Sequence, residues 1–343
     1  MPRLRLNVLD QSPISEGSTG PQALRNTLDL AKLADALGYH RYWVAEHHGT
    51  PTLACASPEV LIGPIAAGSD RIRVGSGGVM LPHYSPLSVA ERFSILSGLY
   101  PGRIDLGIGR APGTDQLTML ALQRDRRQPA PNDFPEQLTE LLAYLEDRMP
   151  DDHPFARLSA ALPGVPERPE VWMLGSSPQS GIWAAELGVP YSFADFINPV
   201  GAEIAADYRR RFADTSRSDG PLVGVGVIAI CADTDDEAER LAASSRMAFS
   251  MLRQGRLIPV PPVEKALRYL ETREKSASTR RAVIGSPQKV REGLEAVAAE
   301  YGAQEVTILT ITHEHEARRR SYELIAEAFE PSSAPVAAAV AQP

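Results

Sequence analysis

Residues 74–82 read VGSGGVMLP, an apolar strand with two glycines, Gly77 and Gly78, set in its middle. Glycine packs nothing and loses the most backbone freedom on folding, so it weakens a strand. A pair of them signals either a bulge or a place where something lies flat against bare backbone. The same stretch decides between two α/β folds. In an open dinucleotide-binding sheet the first strand runs into G-x-G-x-x-G, whose third glycine lets the helix pack closely on the strand. Here GSGGVM carries Met80 in that place, and the other candidate, GIGRAP, carries Pro112. Neither glycine run opens a helix directly, which argues for a closed barrel over an open doubly wound sheet.

The surrounding pattern agrees. Strand-like runs occur at LRLNVLD (4–10), YWVAE (42–46), IRVGSGGVML (72–81) and RIDLGIG (103–109). Four more follow at EVWMLG (170–175), VPYSFA (189–194), LVGVGVIAIC (222–231) and EVTILTI (305–311). All are nearly continuous apolar runs, as expected of strands buried on both faces. Helical periods fill the gaps. Leu30, Leu33, Ala34 and Leu37 share a face before Gly38, and Val89, Phe93, Leu96 and Tyr100 do so before Pro101-Gly102. Phe134, Leu138, Leu141, Leu142 and Leu145 form a third stripe, and Leu294, Val297, Ala298 and Tyr301 a fourth that stops at Gly302. Eight strands, each followed by a helix, predict an α/β fold of the (β/α)₈ TIM-barrel type with insertions, in one domain over 1–330. The tail 331–343 lacks periodicity and is expected to be disordered. Segments 110–133 and 248–286 exceed ordinary loop length. The first follows a strand and so is expected to wall the catalytic face; 149–169 leads into a strand and is expected at the opposite end.

Composition narrows the function classes. The 343 residues carry a formal net charge of −8, with no basic run to meet nucleic acid. No stretch is long and apolar enough to span a membrane, and MPRLRLNVLDQSP lacks the apolar segment of a signal peptide. Only two cysteines are present, far apart, which suits a reducing, cytoplasmic location and offers no zinc spacing.

Polar, titratable and glycine residues collect at the strand ends: Asp10-Gln11, EHHG (46–49), Gly77-Gly78 with His83 beyond, Gly109-Arg110, and GSSPQS (175–180). The serines of GSSPQS precede a helix, where they either cap it or, with the free backbone N–H groups, cradle a phosphate. Arg110 could add a charge-assisted bond to the same anion. The pair His47-His48 lacks metal spacing, and adjacent strand residues face opposite ways. A histidine working as general acid or base, positioned by Glu46, is one reading; a buried hydrogen-bonded pair is the other.

RYWVAEHHG, VGSGGVMLP, SPLSVAERFSILSGLYPGRIDLGIGRAPGTD, FPEQLTELLAYL, LGSSPQSGIWAAELGVPYSFADF and IGSPQKVREGLEAVAAEYGAQEVTILTITHE together resemble the bacterial-luciferase-like flavin monooxygenases, over residues 4–329. The resemblance implies a two-component enzyme that receives reduced FMN from a separate reductase. With O₂ it would oxygenate a small organic substrate through a flavin 4a-peroxide. It implies a cis peptide at Gly77-Gly78 against which the flavin ring lies, and places the catalytic histidine on His47, with Glu46 and His48 in the same motif. It places the FMN phosphate at Arg110, Gly175, Ser176, Ser177 and Ser180. It implies a homodimer through the helices after strands two and three, and no metal. Light-emitting relatives have a cysteine where this chain has Gly109, and a glutamate where it has Gly175. The first change is expected to open space near carbon 4a of the ring. Three rival readings are a deazaflavin-dependent hydride-transfer enzyme, a flavin binder without turnover, and a metal-dependent barrel hydrolase.

Overall fold

The structure, a computed structural model, describes residues 4–110, 115–123, 125–128, 132–212, 220–272 and 280–329. The tail at 331–343 lies outside these residues, as do parts of both long insertions.

Nine parallel strands form the sheet: β1 (Arg5–Asp10), β2 (Arg41–Val44), β3 (Arg73–Met80), β4 (Ile104–Gly109), β5 (Glu170–Gly175), β6 (Tyr191–Ala194), β7 (Val223–Cys231), β8 (Ala282–Gly285) and β9 (Glu305–Leu309). Eight of them close the barrel in the order β1-β2-β3-β4-β5-β6-β7-β9, with β9 pairing back to β1. The ninth, β8, lies inside the segment read from sequence as a loop. It pairs with Ile228–Cys231 of β7, whose lower half, Gly224–Ile228, pairs with β9. A four-residue strand is too short to show a period, so only its partner reveals it.

The helices are α1 (Gly20–Ala36), α2 (Pro58–Ala67), α3 (Pro86–Leu99), α4 (Gln116–Leu122), α5 (Phe134–Glu146), α6 (Ala156–Ser159), α7 (Pro178–Glu186), α8 (Ala202–Arg211), α9 (Asp235–Leu252), α10 (Val263–Glu271), α11 (Pro287–Tyr301) and α12 (His315–Phe329). Outward strand residues such as Val8, Tyr42, Val74, Leu106, Val225 and Ile308 join the apolar stripes of these helices in one large core. The helix stripes predicted from sequence supply Leu30, Leu141 and Leu294 to it. A separate cluster, Leu9, Trp43, Ala45 and Trp172, fills the barrel's interior.

Below that cluster the barrel is sealed by charge. The guanidinium of Arg41, 2% exposed, donates to Asp105 (2.9 Å) and Glu305 (2.8 Å) and lies 4.7 Å over the ring of Trp172. Trp43 Nε1 donates to Asp105 (2.9 Å) and Asn7 to Glu305 (2.8 Å). Burial pushes the Glu305 carboxyl up, and Arg41 more than offsets that, holding it below the usual carboxylate range. This network closes the N-terminal end of the barrel's interior, so a ligand reaching that interior enters from the C-terminal mouth. At that mouth α4 packs on the loop after β2: a Cβ on Gly49 would lie 2.2 Å from Thr118 Oγ1. The connection 149–169 sits at the other end, with Gly164 N–H donating to Ser94 of α3 (2.8 Å).

Candidate active site

The glycine pair forms both a bulge and a cis peptide. The Gly77-Gly78 bond is cis, and the register with β4 slips between Gly77 and Val79. At Gly78 the missing side chain is required by the barrel's own backbone, whereas at Gly77 a side chain would displace the movable end of Leu9. A Cβ on Gly78 would lie 2.7 Å from the carbonyl oxygen of Gly107, and one on Gly77 would lie 2.6 Å from Leu9 Cδ1. A flat ligand is therefore not needed to explain Gly78.

Glu46 is fully buried and holds three donors. Its Oε1 accepts from His48 Nε2 (2.7 Å) and from the Tyr84 hydroxyl (3.0 Å), and its Oε2 accepts from the N–H of Met80 (3.0 Å). Of the two histidines, the one Glu46 holds is His48. Glu46 also clamps the backbone at the end of β3, just past the bulge. Burial, and then the nearby Glu46, hold the Tyr84 phenol well above its usual range, so it remains a donor. The His48 ring meets His83 edge-on at 5.7 Å.

His47 stands apart. It follows Ala45, which packs with Trp43 inside the barrel, and its backbone N–H is fixed by the carbonyl of Cys55 (3.0 Å). Its Nδ1 is buried and has no hydrogen-bond partner among the described residues. Burial, with His48 adding to it, lowers its pKa to about 4, so the ring is neutral at pH 7.

At the end of β4, the absent side chain of Gly109 does not leave a hole. A Cβ there would lie 3.2 Å from Met80 Cε and 3.3 Å from its sulfur, so the Met80 thioether already occupies the space expected to be open.

The start of α7 is the anion-ready feature. Ser177 is its N-cap residue, yet its side chain makes no capping bond. Arg110 is exposed and lies 5.5 Å over the ring of Trp183 in α7, which brings its charge to this helix. Ser176 and Gly175 are half-buried, and the Ser176 carbonyl accepts from Asn198 (3.4 Å). Ser180 is corrected: it is 5% exposed and donates its hydroxyl to the Ser177 carbonyl (2.7 Å), with Tyr191 Oη at 3.0 Å. It braces the turn from inside. The chain carries a second copy of the pattern, GSPQ at 285–288. There Ser286 N–H donates to Asp235 (2.7 Å), a bond that with Lys289 keeps the Asp235 carboxyl below its usual range. The protein thus fills one such helix start with its own carboxylate, and among the described residues no carboxylate bonds the other.

Asp10, polar and at a strand end, is structural: Arg318 (2.8 Å), Tyr42 (2.6 Å) and the Ser12 N–H (2.7 Å) surround it and tie α12 to β1. The parts that Tyr84, Met80 and Trp183 play here are not marked by any local pattern, because their partners lie far along the chain. Among the described residues no group of three or more His, Cys, Asp or Glu could hold a metal ion.

A closed (β/α)₈ barrel, plugged at one end and carrying its polar and glycine residues at the C-terminal mouth, has the layout of a barrel enzyme. Comparison with known proteins narrows this class. The luciferase-like monooxygenase profile matches residues 4–305, and the chain belongs to that family. It is 46% identical over 332 residues to the protein YwcH of Bacillus subtilis (strain 168), covering 94% of this chain and 98% of that one. It is 39% identical over 331 residues to the N-acetyl-S-alkylcysteine monooxygenase of the same strain, covering 95% and 98%. Among solved structures, apo-MsnO8 superposes with a TM-score of 0.87 at 41% identity, covering 95% of this chain and 98% of that one. Two remoter structures share the fold. One is the oxygenating constituent of 3,6-diketocamphane monooxygenase from Pseudomonas putida, in complex with FMN (TM-score 0.72, 18% identity, covering 95% and 97%). The other is an F420-dependent secondary alcohol dehydrogenase (TM-score 0.65, 12% identity, covering 96% and 100%).

Proposed function

We propose that the protein is the oxygenating component of a two-component monooxygenase, taking reduced FMN from a separate reductase and using O₂ to oxygenate a small organic substrate. The observation that carries this reading is the start of α7, open, with an unused N-cap hydroxyl and Arg110 beside it. It sits one strand from Arg110, two from the glycine bulge and three from His47, so the candidate residues span the contiguous arc β2 to β5. The residues fit the cofactor: Ser176, Ser177, Arg110 and the α7 amides suit its phosphate, the Gly77-Gly78 backbone its ring, and the orphaned Nδ1 of His47 a polar edge or the substrate. When bound, reduced flavin supplies the electrons that activate O₂. The neutral His47 ring accepts a proton at its open nitrogen, while Glu46 holds His48 and the end of β3 in place. The relative named for N-acetyl-S-alkylcysteines makes thioethers the first substrates to screen.

Titrating FMN against riboflavin tests the anion site. The double variant Ser177→Ala, Arg110→Ala is expected to weaken FMN by about 10–100-fold, the range for bonds to a charged group, and riboflavin by less than about threefold. Equal weakening of both ligands would count against it. Tighter binding of a deazaflavin than of FMN would instead favour hydride transfer.

A homodimer through α2 and α3 belongs to this proposal. Those helices pack on each other and expose Val60 (67%), Ile95 (48%) and Leu99 (65%), large apolar residues that no described residue covers. Sedimentation should show a dimer that Leu99→Asp converts to monomer; a monomeric parent protein removes this part of the reading.

A further inference from the structure

The end of β3 carries one side chain that the proposed function leaves unused, the thioether of Met80. Its direction follows from β4 alongside, where side chains alternate between the two faces of the sheet. Asp105 reaches Arg41 and Trp43 inside the barrel, and Ile108 joins the outer core. Gly107, paired with Trp172, therefore faces inward, and a Cβ on it would lie 2.8 Å from Cδ1 of Leu174, which packs on the interior cluster. Gly109 faces the same way, one pleat nearer the mouth. The Met80 methyl and sulfur lie 3.2 and 3.3 Å from the place its Cβ would take, so the thioether stands on the inner side of the mouth.

The position is fixed and not sealed. Met80 is half-buried, its N–H is held by Glu46 (3.0 Å), and its backbone pairs with Gly109. It lies two residues past Gly78, whose backbone is the proposed seat of the flavin ring. The other described methionines stand elsewhere. Met173 (1%), Met247 (6%) and Met251 (6%) are buried in packed cores. Met119 and Met149 are half-buried as Met80 is, but one is on α4 and the other follows α5, and neither is on a strand. Thioether sulfur is polarisable and takes up one oxygen atom to give a sulfoxide.

We infer that Met80 is a modification site: when no substrate is present, its thioether is oxidised to the sulfoxide by reduced flavin and O₂ at the protein's own mouth. The sulfur gives two electrons and the reduced flavin gives two more. The O–O bond breaks, one oxygen atom bonds to sulfur, and the other leaves as water with the two hydrogens of the reduced flavin, which is reoxidised. The product sets a polar oxygen on the inner wall where β3 and β4 end. The inference goes beyond the monooxygenase reading and rests on it for the oxidant.

Peptide mass spectrometry tests it. The protein is first titrated with FMN, then mixed without substrate with reduced FMN and O₂, catalase and superoxide dismutase being present to destroy oxidants free in solution. Met80 is expected to gain one oxygen at least about 10-fold faster than Met119 or Met149, a small part of the advantage that holding two reactants together can give. In a second arm the protein alone meets hydrogen peroxide, and Met80 should be oxidised ahead of Met173, Met247 and Met251. A Met80 that resists peroxide as they do would overturn the inference, because its sulfur would be closed to the mouth. So would an even spread of sulfoxide over Met80, Met119 and Met149 in the flavin arm. FMN binding with Met80 left unmarked would overturn the inference alone. Absence of FMN binding would overturn the monooxygenase reading, and the oxidant with it.

Discussion

Replacing His47 with glutamine is expected to cut coupled product formation by about 10²–10⁴-fold, the usual contribution of a positioned acid or base, with FMN affinity changed less than about threefold. The expectation rests on three features of the residue. Its Nδ1 is buried and lacks a partner among the described residues, a costly state unless a ligand completes it. Its backbone is pinned to Cys55, so the ring is presented from a fixed point. Its pKa, lowered by burial and by His48 to about 4, keeps it neutral wherever an enzyme of this kind would work. The acid limb of kcat/KM due to this residue should therefore fall near pH 4 rather than near the ordinary histidine value of about 6.5. Stability carries the same signature. Below about pH 6.5 the unfolded chain takes up a proton at this position that the folded chain refuses, so stability falls as pH drops toward about 4 and then levels off. The loss amounts to roughly 3 kcal/mol at full extent, and His47→Gln should remove it. Burial also lowers the pKa of His40, which acts in the same direction and persists in the variant. Unchanged turnover per folded molecule in His47→Gln would move the proton-transfer role to another group.

Glu46→Ala should be the most damaging single change to the mouth's framework, lowering stability by about 3–5 kcal/mol and Tm by about 10 °C. Removing the carboxyl takes one shared acceptor from the Tyr84 hydroxyl, His48 Nε2 and the Met80 N–H at once, at a fully buried position. Each such bond contributes about 1.5–3 kcal/mol, and the three share one acceptor group, so their losses do not simply add. Glu46→Gln keeps one acceptor oxygen and brings two donors of its own, so it should fall between the parent and Glu46→Ala. A Tm within about 2 °C of the parent for Glu46→Ala would show that the clamp does not support the fold. Activity should fall further than Tm implies, because the same three bonds set the end of β3 and the ring of His48.

The sequence carried the barrel because burial leaves a local mark. A strand covered on both faces, as in Val223–Cys231, must be apolar along its whole length, and a helix lying on it must repeat its apolar residues every three to four positions. Strand ends followed from the same pattern, and with them the stretch that holds Glu46, His47 and His48, the glycine bulge, Arg110 and the GSSPQS turn. The α7 turn stood out because serines clustered before a helix suit either a cap or a phosphate. The resemblance to the luciferase-like family added the cis peptide at Gly77-Gly78, which periodicity cannot express.

Tertiary structure alone decided who meets whom. Glu46 and Tyr84 are 38 residues apart and touch only because β2 and β3 lie side by side. Met80 fills the space beside Gly109 because β3 and β4 end level with each other. Arg280 finds Phe249 only after β8 adds to the upper half of β7. The GSSPQS serines look alike in the chain, but Ser180 turns inward to Tyr191 while the Ser177 side chain is left without a capping bond. Periodicity records which face of an element is hidden, a property each residue carries on its own. Hydrogen bonds, orphaned atoms and shifted pKa values belong to pairs and enclosures, and those exist only once the barrel has closed.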